Sequence, residues 1–458
     1  MARPDAIAEY REAQRRRAAT PGNATAVFNV GWTASRVGLF EEAIAAYESA
    51  LAMGISQPEE AMFNLSVIYS DQLGDVATGR HWVQQALQAN PQYYPAVFQA
   101  AHLAEQVGDR QAALDGFARA AELRPDEGLP RARQLEASPG ASADAAVVAA
   151  VEQFAQGGDI DALFALGKHR EALGDWQRAW SAMLAANNAD AKDQPPWPAE
   201  AIRERVLQGP ASGLPPLAGS DGPVFIVGMF RTGSTLLEQI LAAHPRFSPL
   251  GESEFWPRVI ARLGGGMVIP GHVPSDKDQR KLCSAFDAML AARHLPANTL
   301  ATDKRPDNLF HLATIGRVLP HARFVITQRD WRDTLVSVFG TRLHPQHGYA
   351  TSVVATHRHL QLCDELAGRW QAVCPERVRL LRYEDLVTHP EQTLRGLLGW
   401  LGESWNPACL DFHRLNNPVR TASVWQIREP LSAARLGRWR HFEEPLRSVM
   451  GTALDEPR

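Results

Sequence analysis

The chain has 458 residues and a formal net charge of −4, so it is too long for one ordinary core and offers no excess positive field to hold nucleic acid. Hydrophobic residues make up 45% and charged residues 21%, the balance of a soluble globular protein. No apolar run reaches the roughly 18–20 residues that span a bilayer, and the opening stretch MARPDAIAEYREAQRRR lacks the apolar core of a secretory leader; no membrane partner and a cytoplasmic location are expected.

Arg15 to Arg17 are expected to form a solvated helix face. Cys283, Cys363, Cys374 and Cys409 form no CxxC pair and are expected as reduced thiols. His357 and His359 lie two apart, which separates them on a helix; with no third ligand in view they are expected at the surface rather than on a metal.

Residues 24–193 contain a repeat. Gly31, Gly38, Ala43, Tyr47 and Ala50 recur in kind as Ala101, Gly108, Ala113, Phe117 and Ala120, followed by Pro125, and again as Gly167, Gly174, Ala179, Met183 and Ala186. A weaker copy carries Gly74, Ala86 and Pro91, and Pro91 and Pro125 are 34 residues apart. Small residues let paired helices approach, a glycine turns the chain, and a larger side chain fills the space between successive hairpins. This period and pattern resemble the tetratricopeptide repeat, which implies an all-α helical-hairpin solenoid over 1–193 and a protein or peptide partner on its concave side. A brace for the following domain is the alternative reading. The degenerate stretch 128–157 holds either a further hairpin or a break, and the Pro/Gly-rich 194–222 reads as a linker.

The stretch PVFIVGMFRTGSTLLEQILAAHP follows. VFIV suits a buried parallel strand and GSTLLEQILAAH carries helical periodicity, so the turn between them joins a strand's carboxyl end to a helix's amino end, where free N–H groups and the helix dipole attract phosphate. Arg231 adds charge, and Thr232, Gly233, Ser234 and Thr235 complete the loop. A nucleoside triphosphatase would carry lysine where Ser234 stands, which disfavours an ATP-dependent P-loop kinase. The loop resembles the 5′-phosphosulfate loop of the sulfotransferases, with Phe230 in place of the usual proline.

A second strand–loop–helix, ARFVITQRDWRDTLVSVF, carries Arg329 and, eight residues on, Ser337. Arginine binds phosphate oxygens bidentately, and the family grips the donor's 3′-phosphate with an Arg and a Ser at this spacing. The resemblance extends over most of 223–445. It implies that Tyr383, Ser423 and Arg438 also contact the donor, 3′-phosphoadenosine 5′-phosphosulfate (PAPS), and that an α/β domain with a P-loop-like parallel sheet flanked by helices fills 223–450. No metal is expected, because side-chain cations and backbone N–H groups serve in its place.

Sulfuryl transfer needs a base for the acceptor hydroxyl and a cation for the leaving oxygen. Glu252, in a GE segment like that of the protein-tyrosine sulfotransferases, is the expected base, with Glu254 its rival; Lys304, in a segment resembling the family's KDP loop, is the expected cation, with Arg305 its rival. Ser423 is expected to assist. A protein or peptide tyrosine, a glycan, a lipid and a small phenol are all open as acceptors. A non-catalytic repeat scaffold is the remaining alternative, and the oligomeric state is not legible.

Overall fold

Four of the turns between repeat helices share one device. Gly74, Gly108, Gly158 and Gly174 each adopt positive φ (76°, 83°, 84° and 76°), a conformation that ends a helix at little cost only in glycine. The aspartate after each, Asp75, Asp109, Asp159 or Asp175, caps the next helix by accepting from the backbone N–H three residues on. A helix break and a helix start are thus encoded in two adjacent residues.

The computed structural model describes residues 4–194, 197–208, 213–219, 221–263, 274–421 and 423–456; linker positions 195–196, 209–212 and 220, and Ala422 in the C-terminal segment, fall outside the described residues. One compact unit comprises residues 4–130, and a second comprises the described residues from 131 onward. The first is all helix: Pro4–Ala19, Ala24–Arg36, Phe40–Ala52, Pro58–Val67, Val76–Ala89, Tyr94–Val107 and Arg110–Leu123. Its helices close as the repeat pattern requires. A Cβ on Gly31 would lie 3.0 Å from the Tyr47 ring, and one on Gly116 would lie 2.7 Å from Ala101 Cβ. Tyr47 and Phe117 are buried in those seams. Arg15, Arg16 and Arg17 are exposed, as expected of a solvated face.

The array read as 1–193 is divided between the two units. The helices Ala145–Gln156, Ile160–Ala172 and Trp176–Asp190 belong to the second, with a parallel five-stranded sheet. Its strands are β1 (Val224–Gly228), β2 (Phe247–Gly251), β3 (Leu300–Asp303), β4 (Arg323–Gln328) and β5 (Val378–Arg382), in the order β2-β3-β1-β4-β5. This is the α/β sheet with flanking helices expected from the sequence. Both faces are covered, which is why VFIV reads as an unbroken apolar run. Phe225, Val227, Phe324 and Ile326 face one core, which also takes in Trp180 and Met183 of the last repeat helix. Val224, Ile226 and Val325 face the other, with Leu237, Ile240 and Leu394.

Two histidines depart from expectation. His357 and His359 on the helix Val353–Val373 are buried, not at the surface. The cause is aromatic: His359 stacks on Tyr349 at 3.8 Å and meets Trp197 edge-on, while His357 lies 4.7 Å from Trp331. Burial pushes His359 down to about 3, so it packs as a neutral ring. No group of three or more potential metal ligands occurs among the described residues. None of the four cysteines is in a disulfide, and no described helix is long and apolar enough to cross a membrane.

Arg377 is a structural cation that the sequence pattern does not reveal. It is fully buried, and it donates to the carbonyls of Ala322, Pro215 and Leu319 at 3.1, 3.0 and 2.9 Å. It therefore ties β4's entry to the segment before β1. Arg377→Ala should orphan three carbonyls and cost about 3 kcal/mol, read as a Tm several degrees lower in thermal denaturation.

Candidate active site

Every strand of the sheet delivers a candidate residue at its carboxyl end. The loop with Arg231 follows β1, Glu252 follows β2, Lys304 follows β3, Arg329 follows β4, and Tyr383 follows β5. β1 lies between β3 and β4, where the strand order reverses. In open parallel sheets such a switch point leaves a crevice that ligands occupy.

The loop after β1 is tightly determined. Gly228 has φ 139°, and a Cβ there would stand 2.6 Å from the Thr327 carbonyl oxygen. Gly233 has φ 94°, and a Cβ there would stand 2.7 Å from Tyr383 Cδ2. Arg231 itself adopts φ 70°, which is unfavourable for a residue with a Cβ. Gly233 caps the helix Ser234–Ala242 without any side-chain hydrogen bond, leaving first-turn N–H groups for a ligand. Thr232 turns inward: its hydroxyl donates to Met229 O and meets Thr327 Oγ1, both at 2.7 Å, so it ties the loop to β4. Ser234 and Thr235 are buried, and Thr235 Oγ1 donates to Thr421 Oγ1 at 3.4 Å.

Arg231 is the hub of a cationic group. Nε donates to Ser337 Oγ at 3.1 Å and Nη1 donates to Ser423 Oγ at 2.6 Å. Among the described residues it has no carboxylate partner. Burial, then the guanidinium groups of Arg438, Arg329 and Arg435, pull it down to about 10. Four arginines thus converge where a lone cation would be costly enough. Arg329 sits 4.6 Å over the Tyr383 ring, donates to Arg435 O at 2.7 Å and lies 3.6 Å from Asp333. It makes no hydrogen bond to Ser337, whose hydroxyl is taken by Arg231. Arg438 is held by Glu171.

A second group lies across β1. Lys304 is buried, at 1% exposed, and its Nζ donates to Glu252 Oε1 at 2.6 Å. The rivals are sorted into a separate pair: Arg305 Nη1 donates to Glu254 Oε1 at 2.5 Å and Nε lies 2.8 Å from Asp307. Beneath them, Glu238 Oε1 accepts from Gly251 N at 3.0 Å. Burial pushes Glu238 up to about 7 against the pull of Lys304. Burial likewise raises Asp303, which accepts from Asn308 Nδ2 at 3.3 Å. No hydrogen bond between described residues joins the Lys304–Glu252 pair to the arginine group.

Sequence reasoning did not single out Arg435, Glu238 or Asp333. Asp333 accepts from Gly437 N at 2.8 Å and from Trp439 N at 2.9 Å, pinning both neighbours of Arg438. Its position four residues after Arg329 was the available signal, since i and i+4 share a helix face.

Residues 223–407 match the model of the Sulfotransferase family, and residues 3–58 and 31–94 match that of the Tetratricopeptide repeat. Over 243 residues the chain is 28% identical to an uncharacterized protein of Aquifex aeolicus (strain VF5), covering 50% of this chain and 32% of that one. It is 27% identical over 239 residues to protein-tyrosine sulfotransferase 1 of Danio rerio, covering 47% of this chain and 65% of the relative. Against the protein-tyrosine sulfotransferase of Drosophila melanogaster it is 24% identical, covering 47% and 46%. The matches thus span from about a third to about two-thirds of these relatives' lengths. Among solved structures, the sulfotransferase domain from the Synechococcus PCC 7002 olefin synthase aligns with a TM-score of 0.37 at 18% identity, covering 53% of this chain and 98% of that one.

Proposed function

We propose that this chain, whose residues 223–407 form a sulfotransferase-family domain, transfers a sulfuryl group from PAPS to an acceptor hydroxyl. The observation that carries the reading is Arg231, bonded to the hydroxyls of Ser337 and Ser423 and to no carboxylate among the described residues, with three more arginines around it. Such a group calls for a strongly anionic ligand, and a nucleotide with phosphate at both ends of its ribose supplies one. Ser234 at the lysine position weighs against a γ-phosphate, and so against a kinase.

PAPS, when bound, supplies the sulfuryl group. Arg231, with Ser337 and Ser423, and Arg329, stacked on Tyr383, hold the donor's anionic groups; the N–H groups that open the helix at Ser234 add to them. Gly233, Ser234, Thr235 and Arg438 complete the enclosure, and Thr232 keeps the loop in shape from behind. Glu252 takes the proton of the acceptor hydroxyl as its oxygen bonds to sulfur. Lys304 donates to the phosphate oxygen released when the old sulfur–oxygen bond breaks. In the free protein Lys304 and Glu252 neutralise each other. Arrival of an anion at Lys304 frees the carboxylate to act as base.

The acceptor proposed is a protein or peptide tyrosine, presented with help from the repeats in residues 4–130. The support is the kinship with protein-tyrosine sulfotransferases and the repeat match. Thermal shift with 3′,5′-bisphosphoadenosine and with ATP tests the donor: the bisphosphate should stabilise more, and a larger shift with ATP would return the site to the kinases. Incubation with radiolabelled donor and fractionated extract tests the acceptor. Label entering only small molecules would remove the protein substrate while leaving the donor chemistry intact.

A further inference from the structure

We propose that Glu171, on the repeat helix Ile160–Ala172, is a positioning residue of the donor site, so that the site is incomplete without the last helical hairpin. The inference rests on the donor reading above. Arg438 Nε and Nη2 donate to the two oxygens of Glu171, each at 2.5 Å, across 267 residues of sequence. Both side chains are mostly enclosed, at 14% and 20% exposed. A two-point carboxylate contact fixes the plane of a guanidinium, as a single hydrogen bond does not.

The backbone around Arg438 is fixed from two sides. Asp333, on the helix that also carries Ser337, holds the N–H groups of Gly437 and Trp439. From the hairpin, Trp176 stacks on His441 at 4.0 Å with the rings 8° from parallel, and Trp180 packs on Phe339 and Phe442. Asn187 adds a hydrogen bond to Phe339 O at 2.7 Å. With the main chain held, the aim of the Arg438 side chain is the remaining freedom, and Glu171 removes it. Among the described residues Arg438 Nη1 makes no hydrogen bond, and Arg438 is the guanidinium that bears most strongly on Arg231. Glu171 thus does two things. It supplies a counter-charge that lets the arginines stand together without ligand, and it leaves one edge of Arg438 to meet a phosphate. Any gain in net positive charge from deleting Glu171 is outweighed by the loss of this aim, because a free arginine side chain must be ordered again on each binding event.

Isothermal titration of the full chain with 3′,5′-bisphosphoadenosine tests this, using wild type, Glu171→Gln, Glu171→Asp, Arg438→Ala and the Glu171→Gln/Arg438→Ala double variant. Glu171→Gln should weaken binding about tenfold, the equivalent of roughly 1.4 kcal/mol. Glu171→Asp, which keeps the charge but withdraws it by one methylene, should fall between. In the Arg438→Ala background the Gln substitution should cost nothing further, the non-additivity that a role exerted through Arg438 demands. Binding by Glu171→Gln and Glu171→Asp within twofold of wild type, tighter binding, or a loss that adds in full to that of Arg438→Ala would overturn the inference. A wild-type protein that gives no heat with the bisphosphate overturns the donor reading itself, a result distinct from wild-type binding that the Glu171 variants share.

Discussion

Replacing Lys304 with alanine should lower sulfuryl transfer about 10²–10³-fold, the scale of losing one preorganised stabiliser of developing charge. The loss should fall on turnover. Negative charge grows on the leaving phosphate oxygen as the sulfur–oxygen bond breaks, so a cation there acts more strongly on the transition state than on the bound donor. On the proposed reading, donor affinity is set by Arg231, Arg329, Arg438 and their serine, tyrosine and carboxylate partners rather than by Lys304, which pairs with Glu252. Bisphosphoadenosine affinity should therefore change less than about tenfold in the same variant. Lys304→Arg should not restore the rate, because the ammonium is only 1% exposed and a guanidinium needs a wider berth. Stability is the lesser concern: the carboxylate left behind, on Glu252, is 33% exposed and can be hydrated. Single-turnover transfer beside calorimetric affinity makes the measurement; a binding loss as large as the rate loss would remove Lys304 from the leaving oxygen.

The parts of this site written in local sequence were readable, and the parts written in strand register were not. VFIV and RFVITQ announce central parallel strands because both faces of each are buried. The Gly–Asp turns announce the hairpins because each pairs a left-handed stop with a cap. β3, LATD, and β5, VRLLR, are short and partly polar, and periodicity does not distinguish them from loop. The choice of Glu252 over Glu254 as Lys304's partner hides there as well. β2 and β3 are parallel neighbours with Gly251 opposite Asp303, so the residues next after each, Glu252 and Lys304, come together. Arg305 departs on its own and finds Glu254. The burial of His357 and His359 is hidden for a related reason: polar side chains point outward by default unless a buried aromatic wall receives them, and Tyr349, Trp197 and Trp331 come from three separate stretches. Glu171 lies furthest from legibility, since the repeat pattern marks helix contacts and says nothing of a carboxylate aimed out of the array.

Glu252→Gln is the second large effect, an expected fall of about 10²–10⁴-fold in transfer. The amide keeps an oxygen to accept from Lys304 Nζ, so the geometry at the end of β2 is preserved while the capacity to take a proton is removed. Glu254→Gln is the matched control. Glu254 is 47% exposed and engaged by Arg305 rather than Lys304, and its loss should cost less than about threefold. The two variants should also differ in pH response. Without a base, attack depends on acceptor molecules already ionised, and for a phenol these become abundant only as pH approaches about 10. The Glu252→Gln deficit should therefore shrink as pH rises from 7 to 9, while the Glu254→Gln ratio to wild type stays level. An equal deficit at both ends of that range would deny Glu252 the proton. A larger loss in Glu254→Gln would move the base two residues along the chain and make Arg305 the cation beside it.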